Sequence, residues 1–253
     1  MPSSTTVEHP QSFWDSLSLG IKVILPTDEK WDTLKAVYNK AAPEASAIIR
    51  PQNASHVQDI VRACVSHRTD FTVRSVGHDV IGRTQIENGV TIDLRSIAHV
   101  QISKDTKTAK IGGGILTREL IRALGKADLV TPTGPIASIG YVGWHTRGAD
   151  GFQPSVFQPR ETHYWLEIVG VSVDPEVAQE AAQWAANLKR ELAESEPTNI
   201  LDSQYLGFID DDEVDLKHIY GDSYEELVAL KRNLDPDNIF RNSVPRFSNT
   251  SRL

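Results

Sequence analysis

Between Lys22 and Gly151 the chain switches hydrophobic period repeatedly, and this constrains the fold more than any single motif. Ala47-Ile48-Ile49-Arg50-Pro51 reads as a short strand stopped by proline, which lacks the ladder N–H. Ser55 and Gln58 make a capping box for a helix whose apolar face is Val57, Ile60, Val61, Cys64 and Val65. Phe71 to Arg74 is the next strand, and Val90-Thr91-Ile92-Asp93-Leu94 alternates as a half-buried strand should. Val100 to Ser103 and Ala109 to Ile111 follow as strands. Glu29 to Ala41 and Thr117 to Leu124 read as helices, the second with Leu116, Leu120, Ile121 and Leu124 on one side. Helices interrupting a sheet of short strands make an α+β chain.

A second part begins after a seam. Phe152 to Pro159 carries two prolines and no period, so it reads as a linker or extended crossing, exposed or poorly packed. Tyr164 to Val173 reads as an apolar strand. Asp174-Pro175 starts a helix, aspartate as cap and proline in the first turn, with Val177, Ala181, Trp184, Ala185, Leu188 and Leu192 as its buried stripe. Asp222 and Glu225 cap a last helix, broken by Asp235-Pro236-Asp237-Asn238.

Composition narrows the function classes. A net charge of −8 without a basic stripe argues against nucleic-acid binding. No apolar run approaches a membrane span, and Met1 to Asp15 lacks a basic start followed by an apolar run, so a cytoplasmic protein is the default. Cys64 is the only cysteine and sits on an apolar helix face, which suits an inert core thiol rather than a disulfide or zinc ligand. The histidines show no metal-ligand spacing, so no metal is expected. The acidic run Asp210-Asp211-Asp212-Glu213-Asp215 lacks the glycine and terminal glutamate of a calcium loop and reads as solvated.

Three glycine-bearing segments carry the candidate chemistry. Arg74-Ser75-Val76-Gly77-His78-Asp79 follows a strand; a turn with a bare glycine lets backbone N–H groups converge on a phosphate, with an imidazole beside it. A plain turn with a surface histidine explains the same six residues. Gly112-Gly113-Gly114 lacks the third glycine and the distant acid of a dinucleotide fingerprint, so it reads as a tight strand–helix turn. In Thr131 to Trp144 glycines alternate with small and apolar residues, so backbone can approach a flat ligand while Ser138 offers a hydroxyl; an ordinary inter-element loop would look the same.

Taken in order, Ile49-Arg50-Pro51, the helix from Val57 to Val65, Arg74 to Asp79, Gly89 to Leu94, Gly112 to Gly114 and Ser138 to Trp144 resemble the first half of the flavin domain of berberine-bridge-enzyme-like oxidases, within the vanillyl-alcohol-oxidase group. Tyr205-Leu206-Gly207-Phe208, Tyr220-Gly221, Tyr224, Leu227, Lys231 and Asp235 to Phe240 resemble that family's C-terminal ending, in a fungal style. The resemblance implies a partial p-cresol-methylhydroxylase-type FAD-binding domain at 22–151, a seam at 152–160, a substrate-domain remnant at 161–198 and a tail returning to the flavin domain at 199–253. It implies FAD, with the amides of Arg74, Ser75, Val76, Gly77, His78 and Asp79 around the pyrophosphate and His78 as tether through the flavin 8α-methyl carbon. Ser138, Gly140 and Gly143 would lie along the isoalloxazine. Tyr205 and Phe208 would come from a returning strand, and Tyr205 or Tyr220 would be the acid/base candidates.

The departures from that family are specific. Ile136 stands where many members carry a second, cysteinyl link; Val76 replaces a glycine; Gly207 replaces an asparagine; and His145 to Gly151 is poorer in glycine than usual. After Gly151 the chain passes directly to late substrate-domain sequence, as in a truncated member, leaving one wall of the flavin pocket unencoded. The resemblance implies an FAD-linked oxidoreductase of a fungal secondary-metabolite pathway, taking hydride from a small molecule and passing electrons to oxygen. The alternative is a flavin-free member acting as binder, non-oxidative cyclase or isomerase, or accessory protein, or an incomplete gene model. A second copy or a complementing partner could supply the wall.

Overall fold

The computed structural model describes residues 8–134, 136–144, 166, 168–170, 172, 174–201, 205–209, 211 and 213–247. Helix α1 (Gln11–Asp15) and strand β1 (Lys22–Ile24) precede α2 (Trp31–Lys35), β2 (Ala47–Arg50), α3 (Ala54–Ser66), β3 (Phe71–Arg74) and β4 (Val90–Asp93). The strands form a sheet in the order β1-β2-β4-β3, with β1 antiparallel to β2 and both β2 and β3 parallel to β4. All three parallel strands therefore end on the same edge, at Arg50, Arg74 and Asp93.

Both faces of this sheet are covered. Ala47, Ile49, Phe71, Val90 and Ile92 pack with Phe13 of α1 and with Ile60, Ala63 and Cys64 of α3. Ile48 and Ile24 pack with Trp31 of α2. The half-buried reading of Val90 to Leu94 is thereby corrected: β4 is central, all four of its residues are buried, and Leu94 has left the strand for a 3₁₀ turn, Leu94–Ser96. Thr91 and Asp93 are polar groups inside the protein, as in parallel sheets with crossovers on both sides.

The helix boundaries also shift. Asn53, not Ser55, caps α3, its side chain accepting from the His56 N–H at 2.9 Å. Val65 lies off the buried face, and burial raises the Cys64 thiol pKa to about 12. The helix expected over Glu29 to Ala41 stops at Lys35. Beyond it the chain makes tertiary bonds instead: the Tyr38 N–H donates to Gly77 O at 2.8 Å, and Asn39 Nδ2 to Val80 O at 2.8 Å.

Strands β5 (Val100–Ile102) and β6 (Ala109–Ile111) form an antiparallel hairpin beside α4 (Thr117–Gly125). Ile115, Leu120 and Leu124 make the core here, while Ile121 is exposed. The glycine run between β6 and α4 is a tight crossing. A Cβ on Gly112 would lie 2.1 Å from Ile97 O, and one on Gly114 1.9 Å from Leu94 O.

After the short α5 (Tyr141–Trp144), α6 (Pro175–Ser195) starts as the Asp-Pro pair suggests, Asp174 accepting from the Glu176 N–H. Its expected buried stripe is not buried: Trp184 is 57% exposed and Val177 42%. The strand expected over 164–173 lies mostly outside the described residues, and those described there carry no strand assignment. The segment 152–159 lies outside them entirely.

Helix α7 (Leu216–Tyr220) is capped by Asp215, so part of the acidic run is structural. Helix α8 (Tyr224–Leu234) follows a 3₁₀ turn, Gly221–Ser223, that contains Asp222; no side chain caps α8, which corrects the expected Asp222 and Glu225 cap. The Asp235 carboxylate, buried where α8 ends, accepts from Ile239 N–H at 2.7 Å, Phe240 N–H at 3.1 Å and Lys231 Nζ. Phe240 then meets Phe71 edge-on, Arg241 pairs with Asp70, and Asn242 donates to Phe71 O at 3.2 Å, so residues 240–242 lie against β3. No described helix is long and apolar enough to cross a membrane.

Two stability measurements check this packing. Gly114→Ala should lower the unfolding free energy from denaturant titration by about 1–3 kcal/mol, because backbone blocks its Cβ, while Gly125→Ala, which meets open space, should be neutral or stabilising by up to about 1 kcal/mol. Burial opposes the Asp235 charge, but the Lys231 and backbone hydrogen bonds outweigh it and hold its pKa below the ordinary aspartate range. A depressed carboxylate stabilises above its unfolded pKa, and that contribution is lost as pH falls through the folded one. Denaturation midpoints against pH should show Asp235→Asn losing part of the acid-side dependence.

Candidate functional site

The site grows from the shared strand edge. Asp93, fully buried, accepts from Arg50 Nη2 at 2.7 Å and Nε at 2.8 Å, and from Arg74 Nη2 at 2.9 Å. Its other oxygen accepts from the Arg95 N–H at 3.0 Å. Arg74 Nη2 also reaches Leu34 O at 2.8 Å. The Arg74 side chain thus points into the protein interior, where its Nη1 is buried and meets no acceptor among the described residues. Two guanidinium groups on one carboxylate leave one positive charge in excess at the root of the loop that follows Arg74.

That loop is braced from behind. Gly77 has φ +84°, a left-handed conformation that favours glycine, and its O accepts from the Tyr38 N–H. His78 is exposed with its ring stacked on Tyr38, centroids 5.4 Å apart. Among the described residues, the backbone N–H groups of Val76, Gly77 and His78 meet no acceptor. Three adjacent free amides around a left-handed glycine fit a phosphate.

The second glycine-bearing segment lies against the loop. Ser75 Oγ donates to Gly113 O at 2.6 Å, and a Cβ on Gly140 would fall 2.4 Å from Val76 Cγ2 and 2.7 Å from Ser75 Oγ. The Val76 side chain is therefore accommodated by the missing Cβ of Gly140. The start of α4 fixes this segment, because the N–H groups of Thr117 and Arg118 donate to Ile139 O and Ala137 O, each at 3.0 Å. These are first-turn donors that a helix cannot satisfy internally. Ser138 and Ile136 are exposed beside them.

The C-terminal part closes the arrangement. Tyr205 donates its hydroxyl to Gly143 O at 2.9 Å and packs its ring on Phe208, centroids 5.0 Å apart. The expected strand is instead a 3₁₀ turn, Leu206–Phe208, and Tyr205 folds over it. A Cβ on Gly207 would meet the Tyr205 ring at 2.7 Å, so the glycine makes room for that ring. Tyr220 is elsewhere, buried with Ile209 and Ile219 beside Phe247, and burial raises its pKa.

Sequence reading passed over Arg83. It donates to both oxygens of Asp79 (2.8 and 3.3 Å), to Leu206 O (3.0 Å), to Ile209 O (3.4 Å) and to Asp211 (3.1 Å). Asp211 also pairs with Arg246, so it is not merely solvated. The spacing of Asp79 and Arg83 was the one available signal; the partners beyond position 200 were invisible to it. Among the described residues no cluster of three metal-binding side chains occurs.

Comparisons with known proteins match two segments of the chain. A family model described as FAD binding domain matches residues 45–153, and one described as berberine and berberine like matches residues 204–245. The FAD-linked oxidoreductase aurO of Gibberella zeae is 37% identical over 115 residues, covering 45% of this chain and 23% of its own length. The (R)-6-hydroxynicotine oxidase of Paenarthrobacter nicotinovorans is 29% identical over 137 residues, covering 54% and 30%. A crystal structure of 6-hydroxy-D-nicotine oxidase from Arthrobacter nicotinovorans aligns with 53% of this chain and 30% of its own, at 29% identity and a TM-score of 0.49.

The class that the first segment matches is therefore that of the FAD-binding domains. In these two segments the chain is similar to FAD-binding domains and to berberine and berberine like proteins, and FAD is the cofactor named for the first of them. It spans about a quarter to a third of the length of the curated relatives it matches.

Gly140→Ala tests the close approach on which the site depends. The added methyl should push the 75–79 loop away, lower stability by about 1–3 kcal/mol and weaken FAD uptake measured by equilibrium titration, whereas Gly143→Ala, with nothing near its Cβ, should leave stability within about 0.5 kcal/mol.

Proposed function

We propose that this chain is a flavin-holding oxidoreductase that oxidises a small organic molecule of fungal secondary metabolism with oxygen as electron acceptor. The observation that supports it most is the run of unpaired amides at Val76, Gly77 and His78, rooted on a buried cluster with one positive charge in excess. These amides, with those of Ser75 and Asp79, bind the pyrophosphate of FAD. When bound, FAD supplies the hydride acceptor and the route of electrons to oxygen.

The chain's own residues divide the remaining work. His78 presents an exposed imidazole, oriented by Tyr38, for attachment at the flavin 8α carbon; Ile136 offers no thiol for a second link. Ser138, Gly140 and Gly143 line the ring, and Phe208 covers its edge. Tyr205 is the better acid/base candidate because its hydroxyl already sits at Gly143 O, whereas Tyr220 is enclosed in the C-terminal core. Domain limits of 22–151, 152–160, 161–198 and 199–253 fit this division of labour. A second copy or a partner chain completes the wall over the flavin.

A flavin-free binder is the competing reading. It is favoured by the way His78 stacks on Tyr38 and Tyr205 closes on Gly143, protein groups meeting one another where the flavin would lie. Incubation with FAD followed by acid precipitation separates the two. Flavin absorbance should stay with the precipitated wild-type protein and move to the supernatant for His78→Ala. Wild-type protein that takes up no FAD at all would overturn the oxidoreductase reading for this chain.

A further inference from the structure

Arg83 joins two parts of the molecule that are far apart in the sequence. On one side is Asp79, next to His78; on the other is the 3₁₀ turn behind Tyr205, held at the carbonyls of Leu206 and Ile209 that bracket Phe208. The side chain is only 7% exposed. Burial works against its charge, but the hydrogen bonds and attraction of Asp79 and Asp211 outweigh this and keep its pKa above the ordinary arginine value. A planar guanidinium has five donors in a fixed fork, and here its three nitrogens meet five acceptor atoms from two segments.

The contacts close a circuit. Ser75 and Val76 touch Gly140, the Gly143 carbonyl holds the Tyr205 hydroxyl, Leu206 and Ile209 hold Arg83, and Arg83 holds Asp79. We propose that Arg83 is a positioning residue that sets the distance between the His78 loop and the Tyr205–Phe208 turn, and so the width of the slot that receives the flavin ring. This rests on the flavin-holding reading above. Arg83 does not touch the flavin; it acts through Asp79 and through the two turn carbonyls. Lysine keeps the charge but cannot span both sides, since an ammonium is a point donor without the fork.

Arg83→Ala and Arg83→Lys test this by two measurements. In protein without flavin, hydrogen exchange of peptides over 75–80 and 205–211 should speed up about tenfold or more in Arg83→Ala, the fold-change expected from losing charge-assisted hydrogen bonds, with peptides over β2 unchanged. Arg83→Lys should free the 205–211 peptide while holding the 75–80 peptide closer to wild type. With FAD added, formation of acid-stable flavin should slow about 100-fold in Arg83→Ala and less in Arg83→Lys, while the FAD dissociation constant moves less than about threefold, because backbone amides do the binding. A merely structural role would shift both together. If Arg83→Ala unfolds throughout, Arg83→Lys carries the test alone. Unchanged exchange at 205–211 in a folded variant overturns the proposal whatever the flavin result. Wild-type protein that takes no flavin overturns the functional reading, while hydrogen exchange still decides whether Arg83 is the clamp.

Discussion

The Asp93 carboxylate is the constraint from which the rest of the structure hangs. It lies at the common edge of β2, β3 and β4 and gathers the terminal residues of all three strands, accepting from Arg50 and Arg74 while its second oxygen fixes the Arg95 N–H. A buried carboxylate is tolerated only when paired and hydrogen-bonded, and removing one member of such a set leaves an uncompensated charge. Strand ends, the start of the 75–79 loop and the turn into the β5–β6 hairpin are consequently set by one group. The excess positive charge of the cluster sits at the root of the 75–79 loop.

Around that root the fold spends ordinary secondary structure to build the loop's support. Helix α2 ends early because Tyr38 and Asn39 bond to Gly77 and Val80 rather than to their own turn. Helix α4 gives its first free N–H groups to the carbonyls of Ile139 and Ala137, which pins the Gly140 segment at the depth where it meets Val76. Arg83 adds a third restraint from the far end of the chain. A site held by strand edge, helix start and side-chain fork is stiffer than its loop sequence suggests.

Much of the α+β character was legible because local rules act over a few residues. The strands at Ala47–Arg50 and Phe71–Arg74, the Asp174-Pro175 helix start and the tight turn at Gly112 to Gly114 were all read from period, cap or turn chemistry. The errors came where distant residues changed the balance. Thr91 and Asp93 alternate like solvent-facing residues but are buried, because crossovers cover both faces of β4. The apolar stripe of α6 was read as buried, yet Trp184 and Val177 are open to solvent. Asn53 displaced Ser55 as cap, a competition between two good capping residues that sequence alone does not rank.

By itself the sequence determined the resemblance to FAD-binding domains, the strand–loop with His78 and the glycines that permit close approach, because each rests on a short run of residues. The tertiary structure alone decided which groups share the site. It turned the Arg74 side chain inward to Asp93, seated Val76 in the space left by Gly140, brought Tyr205 onto Gly143 and enclosed Tyr220 in a separate core. It also revealed Arg83, three of whose partners lie more than 120 residues away in the chain. Hydrogen bonds between segments so far apart have no local signature; they exist only once packing has paid the entropy of bringing the segments together.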